Sequence, residues 1–364
     1  MFTKNIIPIR NRSIIYYFRV PMIILMICGF NYNVFSLRKT IKNLIKMYTL
    51  ILVAIVMYAT IICCNDQEIS QFWSLFEYTS STIVVLVLKN NVHPFFNKLL
   101  KLDPCLRINK TYYISSRNRF IIIIIVIWLI RIVYTAFYCA SYICYTSLVA
   151  YLINLFSLLA LDANRVWRFA IYDEIRHRLK TLRMRLQEYD ANYYLYVLNK
   201  KSVKENKMRF CLQLYINIAD TIDVMIPELH ASLFCSVFCG VPKLIINMYH
   251  VLLVIENDLP YESLGFMLIH IFQISIFLFS PCVVAELYVY EVEKIRLILM
   301  HRLIQEEDDK TIRDIELFLH YTRVRNFRYK IWRMIPVNLS FPLEFINLCT
   351  TYVIVVVNFT HLYG

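Results

Sequence analysis

The sequence predicts an all-α membrane protein with seven transmembrane helices, its amino terminus cytoplasmic and its carboxyl terminus extracellular. Three observations predict this. The chain of 364 residues is 59% hydrophobic and has a mean hydropathy of +0.53. Apolar stretches of about 20 residues, the length of a helix that crosses hydrocarbon, recur seven times. Cutting the chain at those stretches sorts its 39 Lys and Arg. All but Arg131 and Lys243 fall in alternate connections, and none falls in the others. Cytoplasmic loops retain Lys and Arg, so the sorting fixes the orientation. Hydrocarbon offers the backbone no partners, so each span is helical.

The spans follow in order. Residues 1–46 form a cytoplasmic segment whose apolar stretch, 14–35, carries Arg19 and Pro21 and has no small-residue cleavage pattern. Arg38, Lys39, Lys42 and Lys46 follow it, and a span there would strand them outside. The stretch therefore lies in the interface or re-enters the bilayer. Residues 47–161 hold spans one to four: 47–64, 69–88, 120–140 and 143–161. Asp66 and Glu68 mark the first outer turn, and 89–119 reads as a basic inner loop.

Residues 162–228 form helical extensions beneath the membrane. Val166, Phe169, Ile175, Leu179, Leu182 and Leu186 recur mostly at three- and four-residue spacing, as in an amphipathic helix that continues the fourth span. A polar linker at 200–207 leads to a second helix, 208–228. Spans five and six occupy 229–287, joined by an outer turn with Glu256, Asp258 and Glu262. Residues 288–342 continue inward, turn at Glu306-Glu307-Asp308-Asp309, run as a charged helix over 311–333 and break at Pro336 and Pro342. The seventh span is 343–361. Four helices thus project below the membrane. They read as a regulatory cap or, more sharply, as a subunit-assembly domain that buries their apolar stripes.

Composition excludes several classes. The net charge of +13 is spread over the inner segments, which suits topology and lipid headgroups rather than nucleic acid. With four glycines in the chain, no phosphate-cradling loop or dinucleotide fingerprint can be written. Neither a zinc-protease helix motif nor a nucleophile elbow occurs, so no enzymatic activity, cofactor or metal is expected. His250 and His270 can approach each other, but isolated histidines more often pack and hydrogen-bond. Cys63, Cys64, Cys139 and Cys144 lie near the outer face, where one disulfide can form, and the total of 11 cysteines leaves at least one unpaired.

Candidate site residues fall in three groups. Arg131, Lys243 and Glu77 are ionisable groups within spans; each either pairs with another span or meets a ligand. Aromatic residues in the outer halves of spans, among them Trp73, Phe76, Tyr78, Tyr134, Phe137, Tyr138, Tyr142 and Tyr145, form an interfacial belt or, with Glu77, His270 and Gln273, line a pocket for a small, partly apolar molecule. The last span carries Asn347, Thr351 and Asn358 at spacings of four and seven, on one helical face. Such a stripe lines an aqueous path or bonds to neighbouring helices, and symmetry can place several copies around a pore.

Thr351-Tyr352, five hydrophobic residues and Asn358-Phe359 resemble the terminal signature of insect gustatory receptors, Thr-Tyr-(five hydrophobic)-Gln-Phe. Asn358 stands where that family usually has Gln. The seven spans, inner amino end and long fourth connection also resemble that family. The resemblance implies a homo- or hetero-tetrameric, ligand-gated, non-selective cation channel in the plasma membrane of a chemosensory dendrite. It is opened by a small-molecule tastant, by analogy a bitter-type compound. The resemblance puts Asn347, Thr351, Tyr352, Val355, Asn358 and Phe359 along the pore and gate. It makes the inner extensions the anchor between subunits and opens the ligand pocket outward among spans two to six. Glu344 is the one acidic group at the inner mouth. The nearest alternative is an insect odorant receptor subunit that answers volatiles with a co-receptor.

Overall fold

The structure, a computed structural model, describes residues 18–32, 39–63, 69–88, 91–141, 148–196, 202–255, 262–328, 330–331 and 335–363. These form eleven helices and one two-stranded hairpin. In chain order the helices are α1 (Arg19–Ile27), α2 (Lys39–Cys63), α3 (Ile69–Val87), α4 (Val92–Leu106), α5 (Lys110–Ser141), α6 (Leu148–Tyr196), α7 (Ser202–Asp223), α8 (Ile226–Ile255), α9 (Glu262–Gln305) and α10 (Asp309–Val324). The hairpin β1 (Lys330–Ile331) and β2 (Ile335–Pro336) follows, then α11 (Ser340–Tyr363). Among the described residues, α2, α5, α8 and α9 contain stretches long and apolar enough to cross a membrane; α3 and α11 contain shorter ones.

Two helices set the shape. With 49 residues, α6 runs about 74 Å at 1.5 Å per residue, more than twice the roughly 30 Å of a hydrocarbon core. With 44 residues, α9 is nearly as long. The two pack against each other, so the apolar and charged halves of the molecule share continuous helices. The stripe Val166, Ile175, Leu179, Leu182 and Leu186 is buried, as the spacing predicts.

The stretch read as interfacial or re-entrant folds inward at α1. Met22, Leu25, Cys28 and Phe30 are buried, and α1 packs on α5 and α6. Phe18 lies against Phe96 and Trp167, with ring centroids 5.1 and 6.0 Å apart. The carbonyls at the end of α1 accept from Tyr48 (2.8 Å to Ile27 O) and Tyr78 (3.0 Å to Cys28 O). Gly29 has φ +89°, and a Cβ there would sit 2.6 Å from the Tyr78 hydroxyl. Both its backbone conformation and its space demand glycine.

The basic loop predicted over 89–119 is instead helical, as α4 and the start of α5. Val92, Phe95, Phe96, Leu99, Leu102 and Leu106 are all buried at helical spacing. Pro94 and Pro104 obscure that signal. Pro94 lies in the first turn, where no intrahelical bond is lost, and Pro104 is followed closely by Arg107, a left-handed cap with φ 51°. Further on, α10 ends at Val324 rather than continuing to 333, and Lys330 pairs with Pro336 in the hairpin. Pro342 falls in the first turn of α11 and so begins that helix rather than preceding it. Within the acidic run 306–309, Asp308 caps α10, accepting from Thr311 N at 3.2 Å and Thr311 Oγ1 at 2.7 Å.

Buried charge ties the charged half together. Arg178 on α6 donates to Glu174 Oε2 (2.9 Å), to Asp103 Oδ1 on α4 (2.9 Å) and to Tyr113 Oη on α5 (2.7 Å). Tyr113 in turn donates to Asp103, and Ser116 donates to Glu174 Oε1 at 2.7 Å. Arg183 pairs with Glu291 of α9 at 2.6 Å, and at the surface the exposed Arg209 of α7 reaches Asp314 of α10 at 3.0 Å. Beside Arg178, His177 stacks on Tyr112 with centroids 3.7 Å apart. Burial, then Arg178, Arg119, Lys180 and Arg176, push its imidazole down to about 4 from its ordinary 6.5. Below pH 6.5 the unfolded chain takes up a proton that the folded chain refuses. The stability associated with neutral His177 is therefore complete above pH 6.5 and declines as pH falls toward about 4. In detergent, thermal unfolding of His177→Gln is expected to lose less stability across that window than the parent; equal losses would contradict this account.

Candidate functional site

The apolar half contains a connected set of buried charged and polar groups drawn from five helices. Glu77 of α3 receives Arg165 Nη2 of α6 at 2.8 and 2.7 Å and Lys243 Nζ of α8 at 2.5 Å. Arg165 also reaches Asp162 Oδ1 at 3.4 Å. Asp162 takes a two-pronged contact from Arg131 of α5, at 3.0 and 3.2 Å. From α9, Gln273 Nε2 lies 3.4 Å from Asp162 Oδ2, and His270 Nδ1 lies 3.3 Å from Arg131 Nη1. A guanidinium can only donate, so Nδ1 accepts and the ring proton sits on Nε2. Glu77, Arg131, Asp162 and Lys243 are all buried.

Charge in this set does not cancel. Among the described residues, Arg131, Arg165 and Lys243 face Glu77 and Asp162, three cations against two carboxylates. One turn below, Arg168 bonds to neutral acceptors, Ser232 O and Ser236 Oγ, each at 2.9 Å. The local balance is positive, in a place where isolated charge is expensive. It favours any neighbouring group that accepts hydrogen bonds.

The structure brings together five of the sequence candidates, Glu77, Arg131, Lys243, His270 and Gln273, in that set. Tyr134 joins them by stacking on His270, 5.4 Å between centroids at an interplanar angle of 8°. Trp73 belongs to a separate aromatic patch, packing on Phe76 of its own helix and Phe238 of α8, 6.0 Å from each. Phe76 and Phe137 are 40% and 57% exposed and lie on outward faces. Tyr78 is buried, with its hydroxyl committed to α1. Tyr138 belongs to α5, but its side chain lies outside the described residues, as do Tyr142 and Tyr145. The side chains of the four cysteines considered for a disulfide also lie outside them.

Asp162, Arg165 and Arg168 were absent from the sequence candidates. All three follow position 161, where the apolar stretch ends, and so read as the first turns of the inner extension. The structure pairs Asp162 and Arg165 with groups in predicted spans two and three, and Arg168 with the start of the fifth. The available signal was their spacing of three along one helix face.

On α11, Phe341, Phe345, Cys349 and Val353 are buried at four-residue steps, with Phe341 and Phe345 against Phe279 of α9. The main partner of α11 is α8. Asn347, Thr351, Tyr352, Val355 and Asn358 are exposed. Thr351 Oγ1 bonds back to Asn347 O at 2.9 Å; the side chain of Phe359 lies outside the described residues. The polar stripe therefore turns away from the rest of the chain.

This helical arrangement is similar to that of the insect olfactory receptor OR5 from Machilis hrabei in complex with eugenol. The TM-score is 0.65 at 13% identity, over 95% of this chain and 98% of that one. A second structure of the same receptor gives a TM-score of 0.66 at 13% identity, over 94% and 97%. The chain has the fold of an insect olfactory receptor. That fold is all-helical and full-length, and it agrees with the chemoreceptor resemblance of the terminal span. No protein-family model and no curated protein matches the sequence.

Within this olfactory-receptor fold, Glu77 is the junction of the buried charges. Glu77→Gln leaves Lys243 without a carboxylate and Arg165 with Asp162 alone, and is expected to destabilise the protein by about 3–5 kcal/mol. Combining it with Lys243→Met removes one stranded cation and is expected to recover part of that loss. Unfolding in detergent over the four-member mutant cycle measures the coupling; additive effects would contradict a shared network.

Proposed function

We propose that this chain is a gustatory-type chemoreceptor that works as a ligand-gated, non-selective cation channel. It crosses the plasma membrane seven times, with its amino end inside, and assembles as a tetramer of itself or with related subunits. One observation carries the reading: α11, a mostly apolar helix, leaves Asn347, Thr351 and Asn358 uncovered. Facing lipid, the Asn347 and Asn358 amides would have to go without water, while the Thr351 hydroxyl already bonds back to Asn347 O. Facing a central axis in a symmetric assembly, they line water. Such a lining has no charge ring and discriminates weakly among cations.

The ligand enters from outside among the second to sixth spans and approaches Tyr134, His270 and Gln273, with Trp73 on a neighbouring aromatic wall. The positive balance around Arg131 and Arg165 favours a tastant that carries acceptor oxygens. A bitter-type compound in a chemosensory dendrite is the reading the resemblance supports. Binding drives opening only through higher affinity for the open state.

An odorant receptor subunit is the second reading, favoured by the similarity to an olfactory receptor. Expression alone and with a co-receptor, against panels of tastants and volatiles, separates the two. In cells that respond, Asn358→Leu is expected to abolish most of the ligand-evoked current at unchanged surface expression. An unaltered current would remove α11 from the conduction path.

A further inference from the structure

Where α7 leads into α8 and α10 leads toward α11, the chain surrounds a half-open cavity of about 160 Å³. Ala219, Ile222 and Asp223 form one wall, and Arg325, Phe327 and Arg328 form the other. Asp223 precedes the start of α8 by three residues. The opposite wall continues through β1, which packs on α8, toward α11, which packs on α8 as well. An occupant here would touch the approaches to two neighbouring spans.

The wall is fixed in shape. Phe327 has φ 54°, a conformation that residues other than glycine rarely adopt. Its ring is held edge-on by Tyr215 and Tyr288, at 5.5 and 6.3 Å. Tyr215 also donates to Arg325 O at 2.6 Å.

Charge along the connection that forms this wall is unequal. Residues 322–331 carry Arg323, Arg325, Arg328 and Lys330 and no carboxylate, and Asp220, Asp223 and Glu293 meet two of these from other elements. The two aspartates hold Arg325, at 2.5 Å to Asp223 Oδ2 and 3.4 Å to Asp220 Oδ1. Arg296 is engaged with Thr322. Arg328 is only 3.9 Å from Glu293 Oε1, and its side chain is 67% exposed. Arg323 and Lys330 are exposed. The surplus is therefore presented by Arg328 and its neighbours, beside donors of Arg325 that remain on a five-donor guanidinium.

We propose that this cavity binds a multiply phosphorylated polyol headgroup, with Arg328 and Arg325 contacting its phosphomonoesters. Guanidinium groups grip phosphate oxygens in pairs, and basic clusters on the inner side of a span draw anionic lipids. The proposal rests on the topology given under the proposed function, which sets this connection at the inner membrane surface. The same chemistry can arrive on a membrane inositol lipid or as a soluble inositol phosphate.

The test uses the purified full-length chain in detergent and reads binding, not current, so its failure is separable from failure of the channel reading. Short-chain phosphatidylinositol bisphosphate, inositol trisphosphate and short-chain phosphatidylserine are each titrated. Saturable binding of a phosphorylated inositol is expected, weakened about tenfold or more by Arg328→Gln and unchanged by Arg313→Gln, an exposed arginine elsewhere on α10. Arg328 is exposed, so its replacement leaves the fold intact; Arg325→Gln provides a second reading of the same wall. Binding by the lipid form alone supports a membrane source, and equal binding by inositol trisphosphate supports a soluble one. No saturable binding of either, equal weakening by Arg313→Gln, or phosphatidylserine binding as tightly would overturn the proposal.

Discussion

Charge inside an apolar helical bundle must be paired, and the rest of this structure is arranged around that constraint. Glu77 gathers Arg165 and Lys243, and Asp162 gathers Arg165 and Arg131. Those contacts join α3, α5, α6 and α8, while His270 and Gln273 add α9. Apolar packing between helices is nearly indifferent to a small rotation in lipid, because the lipid tails are as apolar as leucine. A two-pronged guanidinium contact is not indifferent, because it fixes both distance and angle. The charged half repeats the device around Arg178, which joins α4, α5 and α6.

Pairing also explains what the long helices do. Because α6 and α9 each run as one helix from one half to the other, with Pro281 inside α9, a displacement near Asp162 or His270 acts on helices that reach the charged half. Arg183 and Glu291 lock the two helices together lower down. In the proposed channel, ligand contact at Tyr134 and His270 acts on one end of that pair. Among the described residues, α11 packs mainly on α8, with a short contact on α9.

Much of this was legible in the sequence. Apolar runs and the distribution of Lys and Arg delineate most of the helices, and the three- and four-residue spacing after Val166 predicts the continuation of α6. The polar face of α11 follows from the spacing of Asn347, Thr351 and Asn358. Less accessible was α4, because Pro94 and Pro104 mask a clear apolar periodicity. Buried partners of the intramembrane charges were also hidden. Asp162 and Arg165 sit where hydropathy falls, and hydropathy cannot tell a charge that leaves the bundle from one that turns inward to meet another. The inward fold of α1 depends on Trp167, more than a hundred residues away, which no local pattern reveals.

The account depends most on α11 turning its polar stripe to water, and thiol labelling in intact cells examines this directly. Thr351→Cys and Asn347→Cys are treated with a small, charged, membrane-impermeant thiol reagent during ligand application. Native Cys349, buried two residues from each, serves as the internal reference. The account predicts modification at 351 and 347 that alters the evoked current, with Cys349 protected. Protection of the introduced thiols to the same degree as Cys349 would mean that the stripe faces lipid or protein, and the channel reading would be wrong.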